Sequence, residues 1–185
     1  MTKLHTSKWN SLGYLPDVVF HMRERDESIE GDNPFRWVRT TTGELFGGKK
    51  VIIFGLPGAF TPTCTNEQLP TFERMYDEFK EFGVDEIWCT SVNDAFAMYQ
   101  WAQQLGIENV KMLPDGNGDF AKGMGMLVDK SNLGFGKRSW RYAMLVDDLV
   151  ISYIWEENNF GDNCPADPYE ESKPENVYSA LSSIG

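Results

Sequence analysis

The chain alternates short runs of β-branched and aromatic residues with longer stretches in which apolar positions recur every three or four residues. Val51-Ile52-Ile53-Phe54-Gly55 follows a Gly-Gly turn and two lysines and contains no polar position, which predicts a strand buried on both faces. After it, Leu69, Phe72, Met75, Tyr76, Phe79 and Phe82 recur at helical spacing among Glu73, Asp77, Glu78 and Lys80, the signature of an amphipathic helix. Glu86-Ile87-Trp88-Cys89-Thr90-Ser91-Val92 reads as a second buried strand. Asn93 or Asp94 then caps a helix through Ala95, Phe96, Met98, Trp101, Ala102 and Leu105, which Gly106 ends.

Around this β-α-β-α unit the periods are shorter. Residues 1–15 show no clear period. Pro16 to Arg23 and Phe35 to Thr40 flank a polar turn, Glu30 to Pro34, and predict an N-terminal hairpin. Beyond the unit come a short run at Asn109 to Leu113, a turn at Pro114 to Gly118 and a brief helical piece near Phe120 to Gly123. Two strands follow, Ser139 to Val146 and Leu149 to Trp155, joined tightly at Asp147-Asp148. A polar loop over 156–173 is long enough to expect mobility or function, and Pro174, Val177, Leu181 and Ile184 mark a closing helix. A parallel half joined to an antiparallel half is a mixed sheet with helices on both faces, an α/β fold of thioredoxin-like order in one domain spanning 1–185. Fold alone does not settle chemistry.

Composition narrows the function classes. A net charge of −11 without a basic stripe argues against nucleic-acid partners, and no segment approaches the roughly 20 apolar residues a membrane span needs. The N-terminus lacks the apolar core of a signal peptide, so a cytoplasmic protein is expected. Cysteines stand at 64, 89 and 164 with no C-x-x-C pair, suggesting neither a disulfide framework nor a zinc site, and no cofactor is implied. His5 and His21 both lie far from Cys64 in sequence. Asp115-Gly-Asn117-Gly-Asp119 fails the calcium-loop pattern, since Phe120 and Met126 occupy the required glycine and glutamate positions.

Cys64 stands out because it falls where a strand gives way to a helix. Thr61 suits the N-cap and Pro62 the first helical position, whose N–H would have no partner anyway. Cys64 then lies in the first turn, where unpaired N–H groups and the helix dipole favour an anion. Such placement lowers a thiol from its ordinary ~8.5 by one to several units, so Cys64 is expected to be ionised at neutral pH. The alternative is a small hydrophobe in a packed turn.

A basic partner follows from strand periodicity. On a strand from Ser139, Trp140, Tyr142, Met144 and Val146 share one face, while Arg141, Ala143 and Leu145 share the other. Arg141 therefore sits among residues that read as buried. A buried guanidinium needs an anion, and a thiolate is one. Arg138 is the second candidate, and an ion pair with a helix carboxylate is the alternative for Arg141.

The string Pro57-Gly58-Ala59-Phe60-Thr61-Pro62-Thr63-Cys64 contains P-x-x-x-T-x-x-C, the motif of the peroxiredoxins, and resembles their type-five subfamily, some of whose members are fused to glutaredoxin. Ser91 to Phe96, Leu113 to Gly116 and Arg138 to Tyr142 add agreement, and the resemblance covers about residues 15–155. It implies a thioredoxin-like fold and a thiol peroxidase in which Cys64 attacks a peroxide oxygen and becomes a sulfenic acid. It also implies that the Thr61 hydroxyl, the Cys64 backbone N–H and the Arg141 guanidinium stabilise the developing charge while Pro57 shelters the sulfur. Where many members carry histidine, four residues after the cysteine, this chain has Gln68.

The sulfenic acid must then be reduced. Cys89, in a central strand, reads as structural. Cys164 lies where some relatives place a resolving cysteine, so a Cys64–Cys164 disulfide stands beside a one-cysteine cycle using glutathione with glutaredoxin, or thioredoxin. Neighbouring Asp162 and Asp167 would disfavour a thiolate at Cys164. The resemblance further implies a homodimer with the loop after Pro57 and the Asn93 to Phe96 segment near the contact. The competing readings are a disulfide oxidoreductase, which lacks its C-x-x-C, and a non-enzymatic redox sensor or holdase.

Overall fold

A computed structural model describes residues 13–184, and the irregular stretch expected at the start of the chain falls largely outside the described residues. The predicted N-terminal hairpin is present as β1 (Val19–Arg25) and β2 (Phe35–Thr41), paired antiparallel with Met22 opposite Val38. A one-turn helix, α1 (Thr42–Phe46), follows without having been expected. Its start is a capping box: Thr41 Oγ1 accepts from the Glu44 N–H at 3.2 Å, and the Glu44 carboxylate accepts from the Thr41 N–H at 2.7 Å.

The central sheet is built from β3 (Lys50–Gly55), β4 (Glu86–Ser91), β5 (Lys111–Pro114), β8 (Tyr142–Asp147) and β9 (Val150–Glu156), in the order β5-β4-β3-β8-β9. Between β5 and β8 lie α5 (Asp119–Gly123) and a separate two-stranded sheet, β6 (Leu127–Asp129) with β7 (Lys137–Ser139). Strands β3, β4 and β5 are parallel, while β8 runs antiparallel to both β3 and β9. The β8–β9 turn is as tight as expected, with Asp148 and Leu149 both left-handed at φ 44° and 71°.

Side-chain alternation divides the strands of the central sheet between two cores. Ile52, Phe54, Ile87, Cys89, Ala143 and Leu145 face one, closed by α2 (Leu69–Arg74), α3 (Tyr76–Lys80), α4 (Ala95–Leu105) and α6 (Pro174–Ile184). Val51, Ile53, Trp88, Trp140, Tyr142, Met144 and Val146 face the other, closed by β1, α1 and α5. Val51 through Phe54 are fully buried. At about 25 cal/mol per Å² of apolar surface, each contributes roughly 2 kcal/mol or more, which makes β3 a stiff base for the residues that follow it.

Two expected elements are divided. The strand from Ser139 to Val146 is in fact β7 and β8 with Trp140 and Arg141 between them, because Ser139 pairs with Leu127 and the Trp140 N–H donates to the Met126 carbonyl. The helix from Pro62 to Phe82 is in fact a π-turn at Cys64–Gln68, then α2, a break at Met75 and then α3. Pro70 supplies a reason for the π-turn. It has no N–H to give to the carbonyl four residues earlier, so the chain meets no loss there by closing a wider ring, in which the Leu69 N–H reaches the Cys64 carbonyl. Among the described residues no helix is long and apolar enough to cross a membrane.

Candidate active site

The segment leaving β3 is held from the side by β4. The Asn93 side-chain oxygen accepts from the Ala59 N–H at 2.9 Å and from Ser91 Oγ at 2.6 Å, so the turn carrying Pro57 to Thr61 is pinned to the end of the neighbouring strand. Asp94, not Asn93, caps α4, accepting from the Ala97 N–H. Within the turn Phe60 adopts φ 66°, and its ring is half exposed beside Trp101. Gly58 leaves room that a Cβ would take, since one built there would lie 3.2 Å from Arg138 Nη1 and 3.3 Å from Thr61 Cγ2.

Helical backbone begins at Pro62, and the Thr61 carbonyl accepts from the Thr65 N–H at 3.0 Å. Thr61 thus stands in the N-cap position. Its side chain does not cap: the hydroxyl turns back and donates to the Gly58 carbonyl at 2.7 Å. The expectation of a capping hydroxyl is therefore corrected, and Thr61 instead ties its own turn. Thr65 is fixed by Trp101 of α4, whose Nε1 donates to its hydroxyl at 3.0 Å.

Cys64 is fully buried in the first helical turn, within the core that also holds Cys89. Its sulfur meets Arg141 Nη1 at 3.4 Å. The same nitrogen donates to Gln68 Oε1 at 2.5 Å. Nη2 donates to Asp167 at 2.6 Å, Nε donates to the Pro168 carbonyl at 3.1 Å, and the guanidinium lies 5.5 Å from the centre of the Tyr169 ring. Every nitrogen of this buried cation is engaged, as a charged group out of water requires.

The charges are arranged to keep it a cation. Burial by itself would lower the Arg141 pKa, but Cys64 and then Asp167 offset this and hold it above its ordinary value. Burial, followed by the charge on Glu175, raises the Tyr169 phenol. Cys89 is driven well above an ordinary thiol by burial and then by Cys64, consistent with a structural role.

Arg138, the second candidate, turns elsewhere. Its Nε donates to the Phe135 carbonyl at 3.1 Å and its Nη1 to the Val92 carbonyl at 3.3 Å. Pro57 is buried and, with Lys130, Trp140, Arg141, Asp167 and Pro168, lines a small cleft. His21 lies exposed on β1, and His5 is outside the described residues.

Cys164 does not join the site. It packs against the opposite core from Cys64, on a loop tied to the β6 region: the Asp129 N–H donates to Asp162, the Asn163 N–H to the Asp129 carbonyl, and the Asn132 N–H to Asn163. The polar loop for which mobility or function was expected is anchored at both ends. At its far end the buried Glu157 carboxylate accepts from the N–H groups of Glu170, Glu171 and Ser172 and from the Ser172 hydroxyl.

Residues 38–167 match the Redoxin family, a span that covers most of the chain and includes Pro57, Thr61, Cys64, Gln68, Arg141 and Asp167. The chain is a peroxiredoxin. It is 57% identical over 167 residues to the peroxiredoxin sll1621 of Synechocystis, covering 90% of this chain and 88% of that protein. Against the hybrid peroxiredoxin hyPrx5 of Haemophilus influenzae it is 46% identical over 167 residues, covering 90% of this chain and 64% of the relative. The crystal structure of a Plasmodium falciparum antioxidant protein, a 1-Cys peroxiredoxin, superposes with a TM-score of 0.86 at 35% identity, over 92% of this chain and 98% of that one. The type-five resemblance and the thioredoxin-like fold are both borne out, and the peroxiredoxin is a peroxidase oxidoreductase.

Gln68 was noted in the sequence only as standing where many members carry histidine, and Asp167, Pro168 and Tyr169 are parts of the candidate site that sequence reasoning did not place. Gln68 had a usable signal: it lies four residues after Cys64, hence on the same helical face, where a polar residue among Leu69 and Phe72 is unusual. The other three lie in a segment without a period.

Proposed function

We propose that the enzyme reduces hydrogen peroxide and small alkyl hydroperoxides in a one-cysteine cycle completed by glutathione with glutaredoxin, or by thioredoxin. The observation that carries the reading is the Arg141 guanidinium on the Cys64 sulfur at 3.4 Å. A cation there stabilises the thiolate before attack and the charge that spreads onto the peroxide oxygens during it. The Cys64 thiolate attacks one peroxide oxygen, forming S–O as O–O breaks. The departing hydroxide or alkoxide takes a proton and leaves as water or alcohol, with the sulfur oxidised to sulfenic acid. A reducing thiol displaces the sulfenic oxygen as water to give a mixed disulfide, and a second thiol releases Cys64 with its own oxidation to a disulfide.

A fully buried sulfur, with its partner Arg141 lining only a small cleft, supports small peroxides over bulky ones. Pro57 at the rim limits water around the thiolate, and Thr61 shapes the turn that presents it. The placement of Cys164 against the other core supports a cycle that does not use it, as does the description of the Plasmodium falciparum relative as a 1-Cys enzyme. Three unpaired cysteines suit the cytoplasm. Exposed Phe60 and Phe96, the latter packed 5.5 Å from exposed Trp37, support a homodimer through this face.

The test is the second-order rate constant for hydrogen peroxide with each reductant in turn. Rapid consumption with glutathione and glutaredoxin or with thioredoxin is the expected result. A rate no faster than that of free cysteine would overturn the proposal.

A further inference from the structure

The bond between Arg141 and Cys64 does not hold itself in place. Nη1 is shared between the sulfur and Gln68 Oε1, and the amide contact is the shorter, 2.5 Å against 3.4 Å. A guanidinium anchored only at that corner is free to turn about it and leave the sulfur. What opposes that turn comes from the other side. Asp167 takes Nη2 and the adjacent Pro168 carbonyl takes Nε, so two neighbouring residues of one loop grip the remaining two nitrogens of the fork.

The loop is built to keep that grip. Cys164-Pro165 and Asp167-Pro168 are residue-proline pairs, in which the proline ring fixes φ and the residue before it is biased to extended backbone. On one side Asp162 and Asn163 bond the β6 region, and on the other the buried Glu157 carboxylate gathers the chain at 170–172. Glu157 is 2% exposed, and its bonds to backbone N–H groups leave it no other task in the site. The Asp167 side chain is 48% exposed whereas that of Arg141 is 2% exposed. The Asp167 end of the pair is open to water, which can take over the bond to Nη2 when the carboxylate is removed, so the effect of Asp167 is expected in orientation rather than in folding.

We propose that Asp167 is a positioning residue for the peroxide chemistry, holding the Arg141 fork so that Nη1 stays on the Cys64 sulfur, with Glu157 maintaining the loop that presents it. The proposal rests on the peroxidase reading above. Asp167 touches neither the sulfur nor the peroxide and acts only through Arg141.

The experiment compares two reactions of the same thiol in the full chain. Peroxide attack needs the guanidinium at the breaking O–O bond, whereas alkylation by iodoacetamide expels iodide without it. With both rate constants taken at a pH where the thiol is fully ionised, so that any loss of thiolate stabilisation cancels, that for hydrogen peroxide in Asp167→Ala is expected to fall at least about tenfold, the scale of a misplaced catalytic group, while that for alkylation changes by less than about threefold. Asp167→Glu, which keeps the carboxylate, recovers most of the loss. Glu157→Gln lowers the peroxide rate in the same direction, and Glu157→Gln/Asp167→Ala is no slower than Asp167→Ala alone, since both act through one contact. The proposal is overturned if Asp167→Ala stays within about twofold of wild type, if both reactions fall in parallel, or if the two substitutions add in full. A wild-type chain that consumes no peroxide would instead defeat the peroxidase reading, a result distinct from an active wild type matched by its Asp167→Ala variant.

Discussion

Arg141 Nη1 stands 3.4 Å from Cys64 Sγ across 77 residues of sequence, and the pair joins the two halves of the central sheet. Cys64 arrives on the helix after β3, and Arg141 on the residue before β8, the antiparallel neighbour of β3. Register brings them together: Gly55, the last residue of β3, lies opposite Tyr142, the first of β8.

Replacing Arg141 by Lys keeps a charge and loses the planar fork that meets sulfur, amide and carboxylate at once. The rate constant for hydrogen peroxide is expected to fall by about 10²-fold or more, the loss typical of removing one aimed donor. A stopped-flow measurement in which Arg141→Lys matches wild type would remove Arg141 from the mechanism.

Gln68→Met keeps the volume of the side chain but removes the acceptor of the 2.5 Å bond from Arg141. Hydrogen bonds to charged groups contribute about 1.5 to 3 kcal/mol, so a drop in peroxide rate of about tenfold is expected. The variant should still fold, because the change also removes Nε2, a buried amide nitrogen without a partner among the described residues. Retention of full rate would show that the amide plays no part in holding the arginine.

Cys164→Ser is expected to leave peroxide consumption with glutathione and glutaredoxin within about twofold of wild type, since a surface-loop substitution away from the site costs little. Mass spectrometry under non-reducing conditions should show the wild-type chain gaining oxygen after one equivalent of peroxide. A loss of two hydrogens in wild type that disappears in Cys164→Ser would establish an internal disulfide.

Asp115 is buried beneath α5 and accepts from the N–H groups of Phe120 and Ala121, yet burial raises its pKa to about 6. Its folded value lies above its unfolded one, so this contribution to stability is complete below pH ~4 and is lost as pH rises through about 6. A shift near two units corresponds to at most about 3 kcal/mol. Urea unfolding of wild type and Asp115→Asn from pH 4 to 7 should show wild type losing stability relative to the variant as pH rises. The opposite slope would contradict the assignment.

Gly55→Ala places a Cβ inside the ring of the fully buried Tyr142. Relieving the overlap means moving β8 at the residue next to Arg141. A destabilisation of about 1 to 3 kcal/mol is expected, together with a slower peroxide reaction. A thermal midpoint and a rate both equal to wild type would show that the ring moves freely.

Much of this was legible before any coordinates. The apolar run at Val51 to Phe54 and the helical spacing from Leu69 carry their own periods, and Cys64 is marked by the residues on either side of it. The alternation Trp140, Tyr142, Met144 against Arg141, Ala143, Leu145 placed Arg141 on the face of Cys64 even though a change of sheet interrupts the strand there. The face survives the break, with Trp140 still packed in the core of Tyr142, Met144 and Val146. The direction of the Thr61 hydroxyl was not legible, since both an N–H and the Gly58 carbonyl lay within its reach and only the shape of the turn chose between them.

The sequence by itself singled out Cys64 as the candidate nucleophile, the helix start beneath it and the face that carries Arg141, because each depends on residues within a few positions of one another. The folded chain decided which groups surround that arginine and where Cys164 lies. Gln68, Asp167 and Pro168 converge on one guanidinium through a π-turn and a loop anchored by Glu157. No local period encodes such a meeting. It depends on which buried charge most needs partners, and that is known only once the sheet has closed around it.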